Sequence, residues 1–149
     1  IFCIRNPYSW IKAMHKEPYY EHYPKIKDLS LKDFVNFSIE DYENCIDMWN
    51  LKNQSYIVMS EEVPNSIIIN VEDFHSNQLA FHSSLASLLD KKDVPLTEMN
   101  NYVNGRGRHE DKDISSSLNI PQLDSDLVEI INASLSQEIM ERCNYEILK

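Results

Sequence analysis

Two short apolar runs in the chain have the composition of buried β-strands. Residues 1–4 are Ile-Phe-Cys-Ile, and residues 66–71 are Ser-Ile-Ile-Ile-Asn-Val, a run rich in β-branched side chains. Between and after these runs, apolar residues recur at helical spacing instead. Strands that alternate with helices predict a parallel sheet with crossover connections. We therefore predict an α/β fold, a parallel sheet with flanking helices, in which 1–4 and 67–71 are neighbouring or near-neighbouring parallel strands.

Four stripes of apolar residues predict the main helices, and polar cap residues predict where helices begin. Asn6 before Pro7 is a typical start, because proline needs no hydrogen-bond partner at the first helical position. Ser30 and Ser38, each followed by an aspartate three residues later, predict two more starts, the second opening the helix that contains Trp49. The four stripes are Trp10, Ile11 and Met14; Ile39, Tyr42, Ile46 and Trp49; Leu79, His82, Leu85 and Leu89; and Leu127, Ile131, Leu135 and Ile139.

Breaks and loops separate these helices. Pro64 with the asparagine after it interrupts the chain ahead of the second strand. Residues 16–27 are rich in proline and tyrosine, and residues 91–122 are polar and contain both glycines of the chain, so we predict loops in both places. Asn144 is expected to end the last helix in the left-handed conformation.

Composition limits what the chain can be. Its 149 residues suit one domain, so we treat 1–149 as a single, incomplete domain. A net charge of −10 argues against binding to nucleic acid or anionic lipid, and no apolar run approaches the roughly 20 residues that cross a bilayer. Cys3, Cys45 and Cys143 lack disulfide or metal spacing, so we expect three buried, reduced thiols and a cytoplasmic protein. The histidines do not cluster, so no metal site is predicted.

The candidate binding chemistry lies where the first strand ends. Arg5 follows the strand and precedes a helix N-terminus, which offers unpaired N–H groups and partial positive charge to an anion. The guanidinium matches phosphate bidentately. The chain has four arginines, and two others, Arg106 and Arg108, lie in a glycine-containing loop that could close over a phosphate. The alternative is that Arg5 pairs with an acid and the loop arginines only increase solubility.

Residues 1–15, Ile-Phe-Cys-Ile-Arg-Asn-Pro-Tyr-Ser-Trp-Ile-Lys-Ala-Met-His, resemble the sulfotransferase segment that binds the 3′-phosphate of the donor. That segment is a strand, then Arg-Asn-Pro or Arg-Asp-Pro, then a helix. Three further segments are similar to family motifs and come in the family's order. They are Met-Trp-Asn at 48–50, Ile-Asn-Val-Glu-Asp-Phe at 69–74, and Glu-Ile at 138–139 with Cys-Asn-Tyr-Glu at 143–146.

The resemblance implies a partial P-loop NTPase-like domain that uses 3′-phosphoadenosine 5′-phosphosulfate and needs no metal. The sulfuryl group would pass to a hydroxyl or amine of a small molecule or carbohydrate. The nucleotide-binding residues implied by the resemblance together with the arginine pattern are Arg5, Asn6, Ser9, Arg106 and Arg108. The family's loop for the 5′-phosphosulfate is not found in the chain, and we expect it upstream of Ile1. The catalytic base is therefore unknown, and residues 1–149 alone are expected to be inactive.

One departure from the family pattern affects the site itself. The family helix usually has a serine eight residues after the arginine, and Ala13 stands at that position here. Ser9, nearer the helix start, is the residue that could substitute. Three hypotheses follow: a sulfotransferase, a nucleotide-binding remnant without transfer activity, and a protein-interaction module that uses its aromatic loops, such as the Tyr19-Tyr20 pair.

Several other side chains have more than one interpretation. Glu72 and Asp73 end the second strand at the ligand edge, where they could act as paired carboxylates, cap a helix or hold a basic side chain. His82 fits core packing better than catalysis, and His15 follows the anion-site helix as a possible ligand contact. Trp49, like Trp10, fits a packed helical stripe better than an acceptor pocket.

Overall fold

The computed structural model describes residues 1–18, 23–90 and 120–149. Strands β1 (Phe2–Ile4) and β2 (Ile68–Asn70) pair in parallel, with Phe2 opposite Ile68 and Ile4 opposite Asn70. The predicted parallel pairing of the two apolar runs is therefore confirmed. The described part of the chain combines this two-stranded sheet with helices and is α/β in this broad sense.

The helices lie between the two strands and after them. Their bounds are α1 (Pro7–Lys16), α2 (Tyr23–Ile26), α3 (Leu31–Val35), α4 (Cys45–Glu62), α5 (Val71–Ser76), α6 (Gln78–Leu88), α7 (Ser125–Ser134) and α8 (Gln137–Arg142). Helix α2 corrects the predicted loop at 16–27. Pro24 does not prevent it, because it lies in the first turn, where no N–H donor is needed. The predicted loop at 91–122 lies outside the described residues except at 120–122, which form neither helix nor strand.

Helix α4 is the centre of the core. It packs against both strands and against α1, α3, α7 and α8. Ile46, Trp49 and Ile57 are at most 2% exposed. Each such side chain contributes about 1.5–3 kcal/mol through burial. The β1–α1 turn, which carries the candidate site, is built onto this helix.

The predicted start of α4 at Ser38 is wrong. Asn44 caps the helix instead, and its side-chain oxygen accepts hydrogen bonds from the backbone N–H groups of Ile46 and Asp47. Upstream, Ile39 and Tyr42 pair across a tight turn in which Glu40 has a positive φ of 53°. A helix cannot run through that backbone conformation.

The last predicted helix is two helices. Its apolar stripe is buried as predicted, but the chain leaves helical geometry at Leu135, and Ser136 caps the start of α8. Asn50 of α4 bridges the break, since its Nδ2 donates to the Ser134 carbonyl at 2.7 Å and its Oδ1 accepts from Ser136 N at 3.1 Å. These two bonds satisfy backbone groups that a continuous helix would have paired internally.

The chain ends α8 in the predicted way and then returns to α1. Asn144 has a φ of 56°, with Tyr145 N bonded to the Met140 carbonyl, the pattern of a Schellman cap. Beyond it, the backbone N–H of Leu148 donates to the hydroxyl of the fully buried Tyr8 at 3.0 Å. The C-terminal residues therefore help to fix the first turn of α1.

The three cysteines do not all lie in the core. Cys45 and Cys143 are buried free thiols, and burial raises the pKa of Cys45 to about 12. Cys3 is exposed, which corrects the prediction. The Phe2 ring packs on Tyr56 of α4 at 5.6 Å, and successive side chains of a strand point to opposite faces, so Cys3 points away from α4.

Helix α6 forms where it was predicted, but its apolar stripe is not in the core. Leu79 is 63% exposed, Leu89 just after the helix is 59% exposed, and His82 is only partly buried. The core role expected for His82 is therefore not observed. Phe81 packs edge-on against Phe74 of α5 at 4.7 Å, which joins the two helices. None of the described helices combines the length and hydropathy needed to cross a membrane.

Candidate functional site

The first turn of α1 forms as the sequence predicts. Asn6 is the N-cap residue, and its side-chain oxygen accepts a hydrogen bond from Tyr8 N at 3.1 Å. Pro7 occupies the first helical position. The helix therefore begins two residues after Arg5, at the carboxyl end of β1. In open parallel sheets this is the edge at which ligands bind.

Arg5 is held from two directions. Its Nε donates to the Ser9 hydroxyl at 3.1 Å, and its backbone carbonyl accepts from the Trp49 indole at 3.0 Å. Burial lowers the pKa of Arg5, and the charge of Glu72 opposes that shift, yet a guanidinium stays protonated in proteins. Ser9 is 3% exposed, whereas Arg5 is only partly buried. Arg5 is thus the member of this pair that a ligand can reach.

Glu72 supplies an anion at the same place. It lies in the first turn of α5, directly after β2, and its Oε1 accepts from Asn6 N at 3.0 Å. Oε1 also lies 3.3 Å from the Ser9 hydroxyl, whose single proton is shared between Glu72 and the Asn6 carbonyl at 3.0 Å. Its Oε2 accepts from the Tyr145 hydroxyl at 2.8 Å. The parallel pairing of the strands brings Glu72 to this edge. We call Arg5, Asn6, Ser9, Glu72 and Tyr145 the edge cluster.

Tyr145 connects the C-terminal segment to the edge cluster. Its hydroxyl lies 2.8 Å from Glu72 Oε2 and 3.1 Å from the carbonyl oxygen of Ile4, so its single proton is shared between two acceptors. Burial raises the pKa of the Tyr145 phenol, and the negative charge of Glu72 raises it further. Asn70 makes a second connection, donating from Nδ2 to the Cys143 carbonyl at 2.8 Å.

The structure brings together three of the five predicted nucleotide-binding residues. Arg5, Asn6 and Ser9 are in direct contact, and the buried side chain of Asn6 is used to cap α1. Arg106 and Arg108 lie outside the described residues. Glu72 was suggested to hold a basic side chain; its hydrogen bonds go instead to Asn6, Ser9 and Tyr145, and its charge acts on Arg5 nearby.

The remaining candidates lie away from the edge cluster or contribute only structure. Asp73 is exposed. His15 Nε2 lies 2.8 Å from the Leu29 carbonyl oxygen, and its ring packs on Phe34 at 5.4 Å, so it secures the segment before α3. Trp49 is a core residue, as expected. Tyr19 and Tyr20 are outside the described residues.

Tyr145 is the functional candidate that sequence reasoning missed. The only available signal was its place in the 143–146 segment that resembles a family motif, because 73 residues separate it from Glu72. Within residues 1–18, 23–90 and 120–149, no group of three or more His, Cys, Asp or Glu side chains is arranged to hold a metal ion.

No protein-family model, curated protein or solved structure matches this chain.

Proposed function

We propose that the edge cluster is the 3′-phosphate site of a sulfotransferase-like protein that uses 3′-phosphoadenosine 5′-phosphosulfate. The observation that carries the proposal is the contact of Arg5 with Ser9 at the N-terminus of α1, beside the carboxyl ends of two parallel strands. These elements supply a fixed guanidinium and a helix dipole for an anion. The P-loop-like character of the complete fold is part of this proposal.

The chemistry of Arg5 supports a phosphate ligand. The guanidinium of Arg5 is planar and matches a phosphate bidentately, and its Nε–H donates to the Ser9 hydroxyl. That bond and the Trp49 contact to the Arg5 carbonyl fix the base of the side chain, which reduces the ordering needed when a ligand binds. We propose that Arg106 or Arg108 adds a second cation. The acceptor would be a hydroxyl or amine of a small molecule or carbohydrate, and the compartment the cytoplasm.

A nucleotide-binding remnant without transfer activity is the second candidate. Ala13 favours it, because the resemblance implies a phosphate-binding hydroxyl at that position and alanine has none. Both candidates bind the same nucleotide, so binding tests the feature that they share.

Calorimetric titration with adenosine 3′,5′-bisphosphate tests the proposal. A hydrogen bond to a charged group contributes about 1.5–3 kcal/mol, so Arg5→Ala should weaken binding about ten-fold or more. Arg5→Lys keeps the positive charge near Glu72 but loses the planar guanidinium that can pair with phosphate through two N–H groups, so it should also bind the nucleotide more weakly than wild type.

Arg142→Ala is the matched control. Arg142 pairs with Glu61 at the surface, and its loss should leave nucleotide affinity unchanged. Thermal unfolding of each variant checks that it is folded. The same affinity in Arg5→Ala, Arg5→Lys and wild type would refute the site.

A further inference from the structure

The edge cluster already contains an anion, and that anion belongs to the protein. Glu72 Oε1 accepts from the backbone N–H of Asn6, the residue that caps α1, and from the Ser9 hydroxyl. An incoming phosphate at a helix N-terminus would use donors of these same two kinds. The carboxylate therefore occupies part of the coordination that the α1 N-terminus offers.

The position of Glu72 is determined by three separate parts of the chain. The carboxylate joins the β1–α1 turn at Asn6 and Ser9, the start of α5, and the C-terminal segment through Tyr145. Contacts to both carboxylate oxygens leave the side chain little freedom to turn away. Its charge consequently stays close to Arg5, on which the proposed phosphate binding rests, because Arg5 Nε and Glu72 Oε1 both contact the Ser9 hydroxyl, at 3.1 Å and 3.3 Å.

We propose that Glu72 is an internal competitor anion that sets the phosphate affinity of the edge cluster. It binds the Asn6 N–H and the Ser9 hydroxyl when no ligand is present, and it opposes a second anion at the same donors. The inference rests on the proposed function, because it concerns phosphate bound at Arg5. It predicts that removing the charge of Glu72 strengthens binding, which is opposite to the effect expected for Arg5.

Glu72→Gln is the direct test, with adenosine 3′,5′-bisphosphate as the probe. Glutamine has nearly the same shape, and its carbonyl can still accept from Asn6 N–H and the Ser9 hydroxyl. If the bound phosphate and the carboxylate are taken to lie about 6 Å apart, at an effective dielectric constant of about 20, the repulsion between one unit charge on each corresponds to about a hundred-fold in affinity. Partial exposure of the cluster reduces this, so we expect binding at least about ten-fold tighter than wild type.

Glu62→Gln is the control for a general loss of negative charge. Glu62 is exposed in the last turn of α4, and about 20 Å of helix separates it from the Trp49 turn that contacts Arg5. That separation exceeds the Debye length of about 8 Å at physiological salt. Affinity in Glu62→Gln should equal that of wild type.

Tyr145→Phe is a second variant that tests the inference in the other direction. It removes the hydroxyl that donates to Glu72 Oε2 and leaves the ring in place. The carboxylate charge is then less neutralised, so nucleotide affinity should fall by about two- to five-fold, a fraction of one charged hydrogen bond. This variant decides the question if Glu72→Gln does not fold.

The possible results separate the two proposals. Tighter binding in Glu72→Gln and weaker binding in Tyr145→Phe support the inference. If wild type binds and loses affinity in Arg5→Ala while Glu72→Gln binds equally or more weakly, the inference alone is overturned. If Glu72→Gln binds and wild type does not, Glu72 is an inhibitory anion and the proposed function of the wild-type site is wrong. If neither binds, both are overturned.

Discussion

The bond between Tyr145 and Glu72 makes a quantitative prediction about stability. In Tyr145→Phe the ring remains and only the hydroxyl is lost, along with its 2.8 Å bond to a carboxylate. Hydrogen bonds to charged groups contribute about 1.5–3 kcal/mol, so the free energy of unfolding at pH 7 should fall by that amount. For a chain of this size, about 2–4 °C per kcal/mol gives a loss of about 3–12 °C in Tm.

The stability difference between wild type and Tyr145→Phe should also depend on pH, in a direction set by the pKa of Tyr145. The pKa of Tyr145 is raised in the folded protein, first by burial and then by Glu72, whereas an unfolded tyrosine titrates near pH 10. The stabilisation from the phenol is complete below about pH 10 and is lost as pH rises toward the folded pKa. The difference between wild type and Tyr145→Phe should therefore shrink above pH 10.

Denaturant unfolding followed by circular dichroism at pH 7, 9, 10 and 11 measures both effects. Tyr56→Phe is the matched control, because it makes the same change in a tyrosine of α4 whose ring packs on Phe2. Equal stability of Tyr145→Phe and wild type at pH 7, or a difference that grows above pH 10, would refute the account of this bond.

Two cap residues give further predictions. Asn44→Ala removes the side-chain oxygen that accepts from two backbone N–H groups of α4, so the free energy of unfolding in denaturant titration should fall by about 1 kcal/mol. Ser38→Ala should lower the free energy of unfolding by less, because Ser38 does not cap that helix. Asn144 has a φ of 56°, which glycine adopts easily and a β-branched residue does not. In thermal unfolding, Asn144→Gly should therefore be neutral or stabilising, and Asn144→Val should be destabilising by about 1–2 kcal/mol. The reverse order would contradict the Schellman cap.

The parts of the site that the sequence predicts are the local ones. Asn6 and Pro7 define a helix start within two residues, and the apolar runs of β1 and β2 indicate parallel strands without any knowledge of their contacts. These features depend on backbone preferences and on strand composition, which are properties of short segments. The placement of Arg5 at the carboxyl edge follows from them. Burial is predicted less well, because Ile4 and Ile69 are buried but Cys3 is exposed.

The parts that the sequence does not predict depend on distant partners. Glu72 is hydrogen-bonded to Asn6, 66 positions earlier in the sequence, and to Tyr145, 73 positions later. No spacing rule relates residues that are so far apart in the sequence. The break between α7 and α8 has the same origin, because Asn50 stabilises it from α4, 86 positions before Ser136. Helical periodicity alone, which is continuous through the break, predicts one helix there.

The most direct test of the central claim compares two nucleotides on wild type and Arg5→Ala by calorimetry. Adenosine 3′,5′-bisphosphate has the group that Arg5 is proposed to hold, and adenosine 5′-phosphate lacks it. The account predicts a loss of about ten-fold or more for the bisphosphate, the value of one charged hydrogen bond, and a much smaller loss for the 5′-phosphate. Equal losses for the two ligands, or none for either, would contradict it.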